Sequence, residues 1–323
     1  MVDPQQPAPD SLRIVYFGTP EFAVPTLQAL LDSRHVVCGV VTQPDKPRGR
    51  GQKITEGPVK ALALANGIPL IQPAKLRTAD AAAAIASWAP QIGVVAAYGK
   101  LIPPDILRLP RYGMINVHAS LLPLYRGAAP VHRAIIDGMP VTGVTIMRVV
   151  DLLDAGEMFA KVRRPIGPDE TSDVVERDLA RLGAPLLLDV LDQLIAGTAT
   201  AEPQDDMLST YATRLTKEEG VVDWSLPAVY LHNRVRGLYP WPQAYTFLEG
   251  RRIILLKSRV DDVESTAAPG TVEAVSREAI HVAAGFGSRL AVTELQAEGK
   301  RGMAVRDFVA GHPIAVGTRL GGG

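Results

Sequence analysis

Two polar residues, Asn116 and His118, close an apolar run that begins at Met114. Because one residue separates them, both side chains would lie on the same face of a strand. A Gly/Pro-rich stretch follows, which predicts that the strand ends in a loop here. An amide donor and an imidazole that titrates near neutral pH suit acyl transfer to an amine. By itself, however, an Asn-x-His pair is more often a strand end with two satisfied polar groups.

A carboxylate is the third candidate for chemistry. Asp154 lies between predicted strands at 141–149 and 158–162, in the run Asp-Leu-Leu-Asp-Ala-Gly-Glu. There it could orient an imidazole or take a proton from an amine. The alternative is an Asp-x-Gly turn formed for local reasons. Asp151 and Glu157 are competitors, and spacing alone does not choose among the three carboxylates.

Two cationic stretches could contact a polyanion. The loop 43–53 sets four cations and one anion among Gly and Pro, so we expect an exposed segment without helix or strand. The functional interpretation is a flexible basic arm, and the alternative is a solvated, hairpin-like loop. The stretch 231–242 interleaves aromatics with arginines, although packing also explains the aromatics. The candidate cations are Lys46, Arg48, Arg50 and Lys53 in the loop, and Arg214, Lys217, Arg234 and Arg236 farther along the chain.

Length and composition restrict the protein class. The 323 residues suggest two domains, and 47% apolar with 21% charged residues is ordinary for a globular protein. The 34 cationic and 34 anionic residues balance, so any nucleic-acid binding must depend on a local patch. A single cysteine, Cys38 in an apolar run, excludes a disulfide framework and fits a reducing cytoplasm. No stretch is apolar enough to cross a bilayer, so we expect no membrane partner.

Several binding motifs are missing from the chain. The first strand is followed by Gly18-Thr19-Pro20-Glu21 and not by G-x-G-x-x-G, so a dinucleotide is not expected. His118 and His132 lack the spacing of a metal pair, and we expect no metal.

The first two hundred residues alternate between short apolar strands and helices. This pattern predicts an α/β fold with a doubly wound, mostly parallel, Rossmann-like sheet. Ligands of such sheets bind beyond the carboxyl ends of the strands, where Asn116, His118 and Tyr98 would lie. We expect Thr19 to cap the first helix. The predicted strands are 13–17, 35–42, 69–71, 92–97, 114–118 and 141–149, and the predicted helices follow Pro20 and occupy 58–66, 79–88, 129–137 and 172–197.

Beyond residue 206 the pattern changes to short strands separated by turns, which indicates a small, OB-like β-barrel. The predicted strands are 244–247, 253–256, 270–275, 279–283 and 289–295, after a helix at 227–236. The predicted division is a disordered tail at 1–10, a first domain at 11–197, a linker at 198–209 and the C-terminal barrel at 210–323.

The chain resembles the folate-dependent formyltransferases, and among them the methionyl-tRNA formyltransferases. The resemblance depends on Asn-x-His, on Ser-Leu-Leu-Pro-x-Tyr-Arg-Gly-Ala-Ala-Pro and on Leu-Asp-Ala-Gly, and it extends over nearly the whole chain. It implies formyl transfer from 10-formyltetrahydrofolate, the co-substrate, to the α-amine of initiator methionyl-tRNA, without a metal. It further implies a cytoplasmic enzyme whose barrel holds the tRNA, and we expect a monomer.

The resemblance also assigns residues. It makes Asn116, His118 and Asp154 catalytic, and so favours Asp154 over Asp151. One departure is Leu152, which replaces an expected glycine and should stiffen the Asp154 loop. The implied folate contacts are Ser120, Leu121, Leu122 and Pro123 in one turn, with Tyr98, Leu101 and Ile102 nearby.

Two alternatives remain at this point. One is a folate-dependent enzyme that formylates an amino-sugar nucleotide, although the basic insertion at 44–51 favours the tRNA enzyme. The other is a non-catalytic tRNA- or RNA-binding protein, which would not need a polar triad at the edge of a sheet.

Overall fold

A computed structural model describes residues 10–48 and 53–321 of the chain. The strands in these ranges are β1 (Arg13–Gly18), β2 (Val36–Val41), β3 (Lys46–Arg48), β4 (Lys53–Thr55), β5 (Leu70–Ile71), β6 (Ile92–Ala96), β7 (Met114–His118), β8 (Arg126–Gly127), β9 (Val141–Arg148), β10 (Met158–Pro165), β11 (Tyr211–Ala212), β12 (Ala244–Leu248), β13 (Arg251–Asp261), β14 (Val272–Val275), β15 (Ile280–Ala283), β16 (Arg289–Ala297) and β17 (Met303–Ala304). The α-helices are α1 (Val24–Leu31), α2 (Pro58–Ala65), α3 (Ala79–Ser87), α4 (Pro104–Leu107), α5 (Pro130–Ile136), α6 (Ser172–Ala196), α7 (Ala228–Gly237) and α8 (Val305–Gly311).

The first sheet has the strand order β10-β9-β7-β6-β1-β2-β5. The pairs from β5 through β2, β1 and β6 to β7 are parallel, whereas β9 is antiparallel to β7. The predicted doubly wound, mostly parallel sheet is therefore confirmed. Its central strands are fully buried, since Ile14 in β1 and Val94 in β6 are both 0% exposed. Because β1, β6 and β7 run in the same direction, their carboxyl ends share one edge of the sheet.

Helix α6 determines which face of β7 is free for chemistry. A Cβ on Gly183 of α6 would come within 2.8 Å of Val117, so the helix lies close against the Val117 side of the sheet. Asn116 and His118 alternate with Val117 along the strand and so point to the opposite face. The glycine permits this close contact because it has no side chain.

The predicted N-cap at Thr19 is wrong. The chain first forms a short 3-10 turn, Glu21–Ala23, and α1 begins only at Val24. The Thr19 hydroxyl instead accepts a hydrogen bond from the backbone N–H of Gln43 at 3.3 Å. A threonine that can reach a neighbouring loop is not available to cap its own helix.

The prediction of a basic loop without strands is also wrong. Lys46–Arg48 and Lys53–Thr55 pair in antiparallel fashion, with Lys46 opposite Thr55. At the base of this hairpin, Asp45 lies 2.5 Å from the Lys60 ammonium and accepts from Gln72 at 3.0 Å. These hydrogen bonds hold the pKa of Asp45 below its ordinary value. Arg50 lies outside the described residues, as do the side chains of Arg48 and Lys53.

A second, antiparallel sheet has the order β12-β13-β16-β15-β14, with β17 paired to β16. Residues near the C-terminus connect its two outer strands: Leu320 bridges to Leu248 of β12, and Arg319 bridges to Thr271 just before β14. The sheet therefore closes on itself, and the predicted C-terminal β domain is confirmed. Its interior holds a buried apolar cluster that includes Trp224, Leu231 and Phe308.

The chain forms two compact units that are not contiguous in sequence. Met1–Ala128, Thr142–Arg164 and Glu176–Ala212 form the first, and Ala129–Val141, Pro165–Val175 and Thr213–Gly323 form the second. The segment 198–209, predicted as a linker, belongs entirely to the first unit. Among the described helices, none has the length and apolar character needed to cross a membrane.

Candidate active site

His118 is the last residue of β7 and is only 5% exposed. Its Nε2 lies 3.0 Å from the carbonyl oxygen of Tyr125. Since a carbonyl oxygen only accepts hydrogen bonds, this contact places a proton on Nε2 and leaves Nδ1 for a second group. That second group is Asp154, whose Oδ2 lies 3.7 Å from Nδ1.

Asn116, two residues earlier on the same face, is half-buried and sits between Val95 of β6 and Met147 of β9. Within the described part of the chain, its side-chain amide has no protein hydrogen-bond partner. A strand-end amide with its donors uncommitted can bind a substrate oxygen.

Asp154 is held in a specific backbone conformation. Its φ of 46° is left-handed, which costs energy for a residue other than glycine, although aspartate tolerates it better than most. Its Oδ2 accepts a hydrogen bond from the Gly127 N–H at 2.8 Å. The competitors are placed differently: Asp151 is exposed, and Glu157 pairs with Arg148 at 3.4 Å. The structure therefore brings Asp154, and not its neighbours, to His118.

The short segment Tyr125–Gly127 contacts both members of this pair. Its first residue offers the carbonyl that binds His118, and its last residue offers the N–H that binds Asp154. The segment is fixed by β8, which runs parallel to β11, and by the Tyr125 N–H, which donates to the Thr210 hydroxyl at 2.8 Å. Gly127 has a φ of 120°, and a Cβ there would come within 2.8 Å of the Ala212 carbonyl oxygen.

Gln204 holds the backbone around Asp154. Its side-chain amide donates to the carbonyl oxygens of Asp154, at 2.8 Å, and Gly156, at 2.7 Å. Its own carbonyl accepts from Nε of Arg126 at 2.9 Å, and this buried guanidinium also pairs with Asp206 at 2.7 Å. Neither residue is among the predicted site residues: Gln204 lies in a segment without periodicity, and Arg126 appears only within the Tyr-Arg-Gly motif of the resemblance.

The predicted folate turn is anchored to β9 by Thr145. The Thr145 hydroxyl donates to the Ser120 carbonyl at 2.7 Å and accepts from the Leu122 N–H at 3.1 Å. Ser120 is buried, and Leu122 packs with Met147 and Met158. Leu121 and Pro123 are partly exposed, so these two side chains of the turn remain accessible to a ligand.

The residues predicted near the pterin differ among themselves. Tyr98 is 1% exposed and packs edge-to-face on Phe17, with ring centroids 5.5 Å apart. Its hydroxyl has no partner among the described residues, and burial raises its pKa to about 12. Ile102 is half-buried, whereas Leu101 is 79% exposed.

The predicted tRNA-binding cations separate into two groups. Lys46, Arg214 and Lys217 are exposed, and Arg234 is half-buried, with a bond to the Glu219 carbonyl. Arg236 is 7% exposed, and burial lowers its pKa. Its guanidinium binds Asn233 and the carbonyls of Gly167 and Glu170, so its position argues against the predicted contact with tRNA. Arg236 instead braces α7 against the segment before α6.

No three metal-ligating side chains come together in the ranges that the structure describes. The site therefore presents an uncommitted amide, an imidazole with a carboxylate beside it, and an apolar turn. Hydrogen-bond donors near a potential oxyanion and a group that can relay a proton are what acyl transfer requires.

Two family models cover most of the chain. The model described as formyl transferase matches residues 12–191, and the model of the formyl transferase C-terminal domain matches residues 214–313. The chain belongs to the formyltransferase family. Its two matched regions correspond to the α/β sheet and to the closed antiparallel sheet.

Within this family, the chain is most usefully compared with the methionyl-tRNA formyltransferases. It is 47% identical over 310 residues to the methionyl-tRNA formyltransferase of Geobacter sulfurreducens, covering 96% of this chain and 97% of the relative. The corresponding protein of Trichlorobacter lovleyi is 48% identical over 308 residues, covering 95% and 96%. At the level of fold, an N-formyltransferase from Helicobacter canadensis, solved with folinic acid and dTDP-3-aminofucose, aligns with a TM-score of 0.66 at 16% identity, covering 88% of this chain and 99% of that one.

Proposed function

We propose that this enzyme transfers the formyl group of 10-formyltetrahydrofolate to the α-amine of initiator methionyl-tRNA. The observation that carries the proposal is the convergence of Asn116, His118 and Asp154 at the carboxyl edge of the sheet, with His118 Nδ1 3.7 Å from Asp154. Identity of about half the residues to methionyl-tRNA formyltransferases over 96% of the chain supports the choice of acceptor.

The reaction forms one bond and breaks one. The α-amine attacks the formyl carbon, and negative charge develops on the formyl oxygen. When the tetrahedral species collapses, the bond from carbon to N10 of the folate breaks. The proton lost by the amine balances the proton gained by N10, so the products are formylmethionyl-tRNA and tetrahydrofolate.

Asn116 is the donor best placed for the formyl oxygen, because its amide has no other partner among the described residues. One preorganised donor of this kind lowers the barrier by about 3 kcal/mol. His118 can add a second donor only by giving up one of its present contacts, to Tyr125 or toward Asp154.

Asp154 gives His118 a negative neighbour on the Nδ1 side of the ring, while the Tyr125 carbonyl holds Nε2. A proton on Nδ1 would face the carboxylate, whereas an Nδ1 lone pair would face it unfavourably. The 3.7 Å separation exceeds hydrogen-bond length and is too short for a water between the two groups, so Nδ1 and the carboxylate would act on the amine side by side. The pair can thereby move the proton of the amine during attack.

The residues predicted for folate are compatible with packing against the face of a ring. Leu121 and Pro123 present accessible apolar side chains. The turn that carries them is anchored by the hydrogen bond from the Thr145 hydroxyl to the Ser120 carbonyl. Tyr98 is a core residue and supports this edge of the sheet through its packing on Phe17. We therefore assign direct folate contact to Leu121, Pro123, Leu101 and Ile102, and a supporting role to the others.

The cations proposed to bind tRNA are Lys46, Arg48, Arg50 and Lys53 of the hairpin, and Arg214, Lys217 and Arg234 of the second unit. Support comes from their charge and, for Lys46, Arg214 and Lys217, from their exposure; Arg234 is half-buried. With a charged tRNA as substrate, the enzyme would act in the cytoplasm. That it acts as a monomer stays a prediction.

A formylation assay tests the proposal. Initiator methionyl-tRNA and elongator methionyl-tRNA are supplied separately with 10-formyltetrahydrofolate, and formylmethionine is quantified after deacylation. We expect efficient formylation of the initiator species and a much lower kcat/KM for the elongator. Binding of tRNA without turnover would favour the non-catalytic RNA-binding protein.

The second candidate acceptor is an amino-sugar nucleotide. The formyltransferase from Helicobacter canadensis, solved with such a nucleotide, has the same fold. Its identity is only 16%, against 47% for the methionyl-tRNA enzyme of Geobacter sulfurreducens. Formylation of a dTDP-amino sugar in preference to the charged tRNA would reverse our assignment.

A further inference from the structure

Arg126 and Gln204 are linked by a hydrogen bond, and Gln204 in turn binds the backbone of Asp154. Gln204 spans the Asp154–Gly156 turn by donating to the carbonyl oxygen at each end, at 2.8 and 2.7 Å. Because both N–H groups of the amide donate to the same turn, they fix its position and its orientation. No other described side chain binds either carbonyl.

The side-chain oxygen of Gln204 is also hydrogen-bonded. Its carbonyl accepts from Arg126, whose guanidinium is buried and also pairs with Asp206. Arg126 lies beside Gly127, and the Gly127 N–H binds the carboxylate of Asp154 directly. Asp154 is therefore held twice from one short strand: its side chain by Gly127, and its main chain by Arg126 through Gln204.

The segment that carries Gln204 follows the catalytic loops closely. Glu202 bridges to Met158, Asp206 pairs with Arg126, and the N–H of Thr210 donates to the Pro123 carbonyl at 3.3 Å. Ala212 then accepts from Ala128 at 2.9 Å. A passive connection between domains would not need a bond to each of these loops.

We infer that Gln204, held by Arg126, is a positioning residue that sets the orientation of the Asp154 carboxylate toward His118, and that Glu202–Ala212 braces the active site. This inference rests on the proposed function, because it assumes that Asp154 takes part in formyl transfer. Gln204 itself touches no reacting atom. Its loss lets the turn rotate about a residue whose left-handed φ of 46° already needs support.

The test uses the full-length protein with two substitutions. Gln204→Glu keeps the size of the side chain and its acceptor for Arg126, but places a carboxylate oxygen against two carbonyls. Gln204→Met keeps the length and removes every polar bond without adding charge. Gln193→Glu, at an exposed position of α6 in the same unit, is the control for added charge.

The measurements are kcat, the KM for each substrate, and the melting temperature. For both Gln204 variants we expect kcat to fall by about tenfold or more, because small displacements of a catalytic group are costly. The KM values should stay within about twofold, since neither substrate contacts Gln204. The melting temperature should fall, because two carbonyls lose their donor, but both variants should remain folded at the assay temperature. Gln193→Glu should leave all of these unchanged.

The two proposals fail separately. A wild-type protein that does not formylate methionyl-tRNA overturns the proposed function. An active wild type with a folded Gln204→Met variant of normal kcat overturns only the positioning role. If both Gln204 variants fail to fold, Gln204 is a structural residue and the inference is equally wrong.

Discussion

At the scale of single residues, His118 has both ring nitrogens directed at protein groups. Its burial means that His118→Ala would leave the Tyr125 carbonyl unpaired and cost about 1–3 kcal/mol of stability, so that variant confuses folding with catalysis. His118→Gln is the better test, because a glutamine N–H can still donate to Tyr125. We expect kcat to fall by about 10²-fold or more, with the melting temperature closer to wild type than for His118→Ala. Near-normal kcat in a folded His118→Gln protein would show that the imidazole is structural.

Asp154 and Asp151 form a matched pair for a second prediction. Asp154→Asn keeps an oxygen for the Gly127 N–H but removes the charge facing His118. We expect kcat to fall by about 10²-fold while the KM for 10-formyltetrahydrofolate stays near wild type. Asp151→Asn removes the same charge from an exposed position of the same loop and should change neither constant. A larger effect at Asp151 would reassign the catalytic carboxylate.

How far the sequence predicts the site depends on the distance between its parts. The spacing of Asn116 and His118 is a local, period-two pattern, so it predicted that the two side chains share a face. Asp154 needed a resemblance to a known family, because spacing did not separate it from Asp151. Gln204 lies 50 residues from Asp154 along the chain, and its role depends on a tertiary contact that no local pattern records. Arg236 was predicted to contact tRNA because it is charged, but the structure buries it. The type of a residue does not show whether it is buried.

At the scale of elements, the parallel pairing of β8 with β11 depends on Gly127. Its φ of 120° disfavours any side chain, and a Cβ would press on the Ala212 carbonyl at 2.8 Å. Gly127→Ala should therefore lower stability by about 1 kcal/mol or more and displace the N–H that holds Asp154. We expect both the melting temperature and kcat to fall.

Gly250→Ala is a useful control, because Gly250 also has a positive φ, 74°, but has open space around its Cβ position. It should lower stability alone and leave kcat unchanged.

The basic hairpin provides a prediction about tRNA and salt. Arg48→Ala with Arg50→Ala removes two cations that we propose meet phosphates. Each lost contact should flatten the log-log dependence of tRNA affinity on salt concentration by about 1. Folate affinity should not change. Lys75→Ala with Arg77→Ala removes two exposed cations outside the hairpin and is the control. Equal weakening of both ligands, or of neither, would contradict the assignment.

Most elements were predictable because burial determines their pattern. Met114–His118 appears as predicted, and the other strands of the first sheet differ mainly at their ends, as apolar runs in a buried parallel sheet should. The errors at Thr19 and in the basic loop have a common cause. In both, a polar segment found partners elsewhere, Gln43 for the threonine and a second short strand for the loop, and composition does not reveal such partners.

At the scale of the whole molecule, the division of the chain changes what a truncation should do. From the sequence, cutting near Asp206 would release a folded first domain that still binds folate. In the structure that cut removes Thr210 and Ala212, which pair with the segment holding His118 and Asp154.

Even a cut after Ala212 leaves Ala129–Val141 and Pro165–Val175 without the unit to which they belong. Helix α5 lies in the first of these pieces, and its buried Ile136 packs closely on Gly237 of α7. We therefore expect a protein ending at Ala212 to be poorly folded, with a low melting temperature and apolar surface that binds a hydrophobic dye.

The measurement is a comparison of 10–212 with the full chain by circular dichroism, thermal unfolding and binding of a reduced folate. The full chain carrying Arg214→Ala and Lys217→Ala serves as the control, because it weakens only the proposed tRNA contacts of the second unit. That control should keep folate binding and stability while raising the KM for methionyl-tRNA. If the truncated protein is monomeric, melts cooperatively and binds folate as the full chain does, the first domain is independent. The pieces 129–141 and 165–175 would then not need the second unit in order to fold.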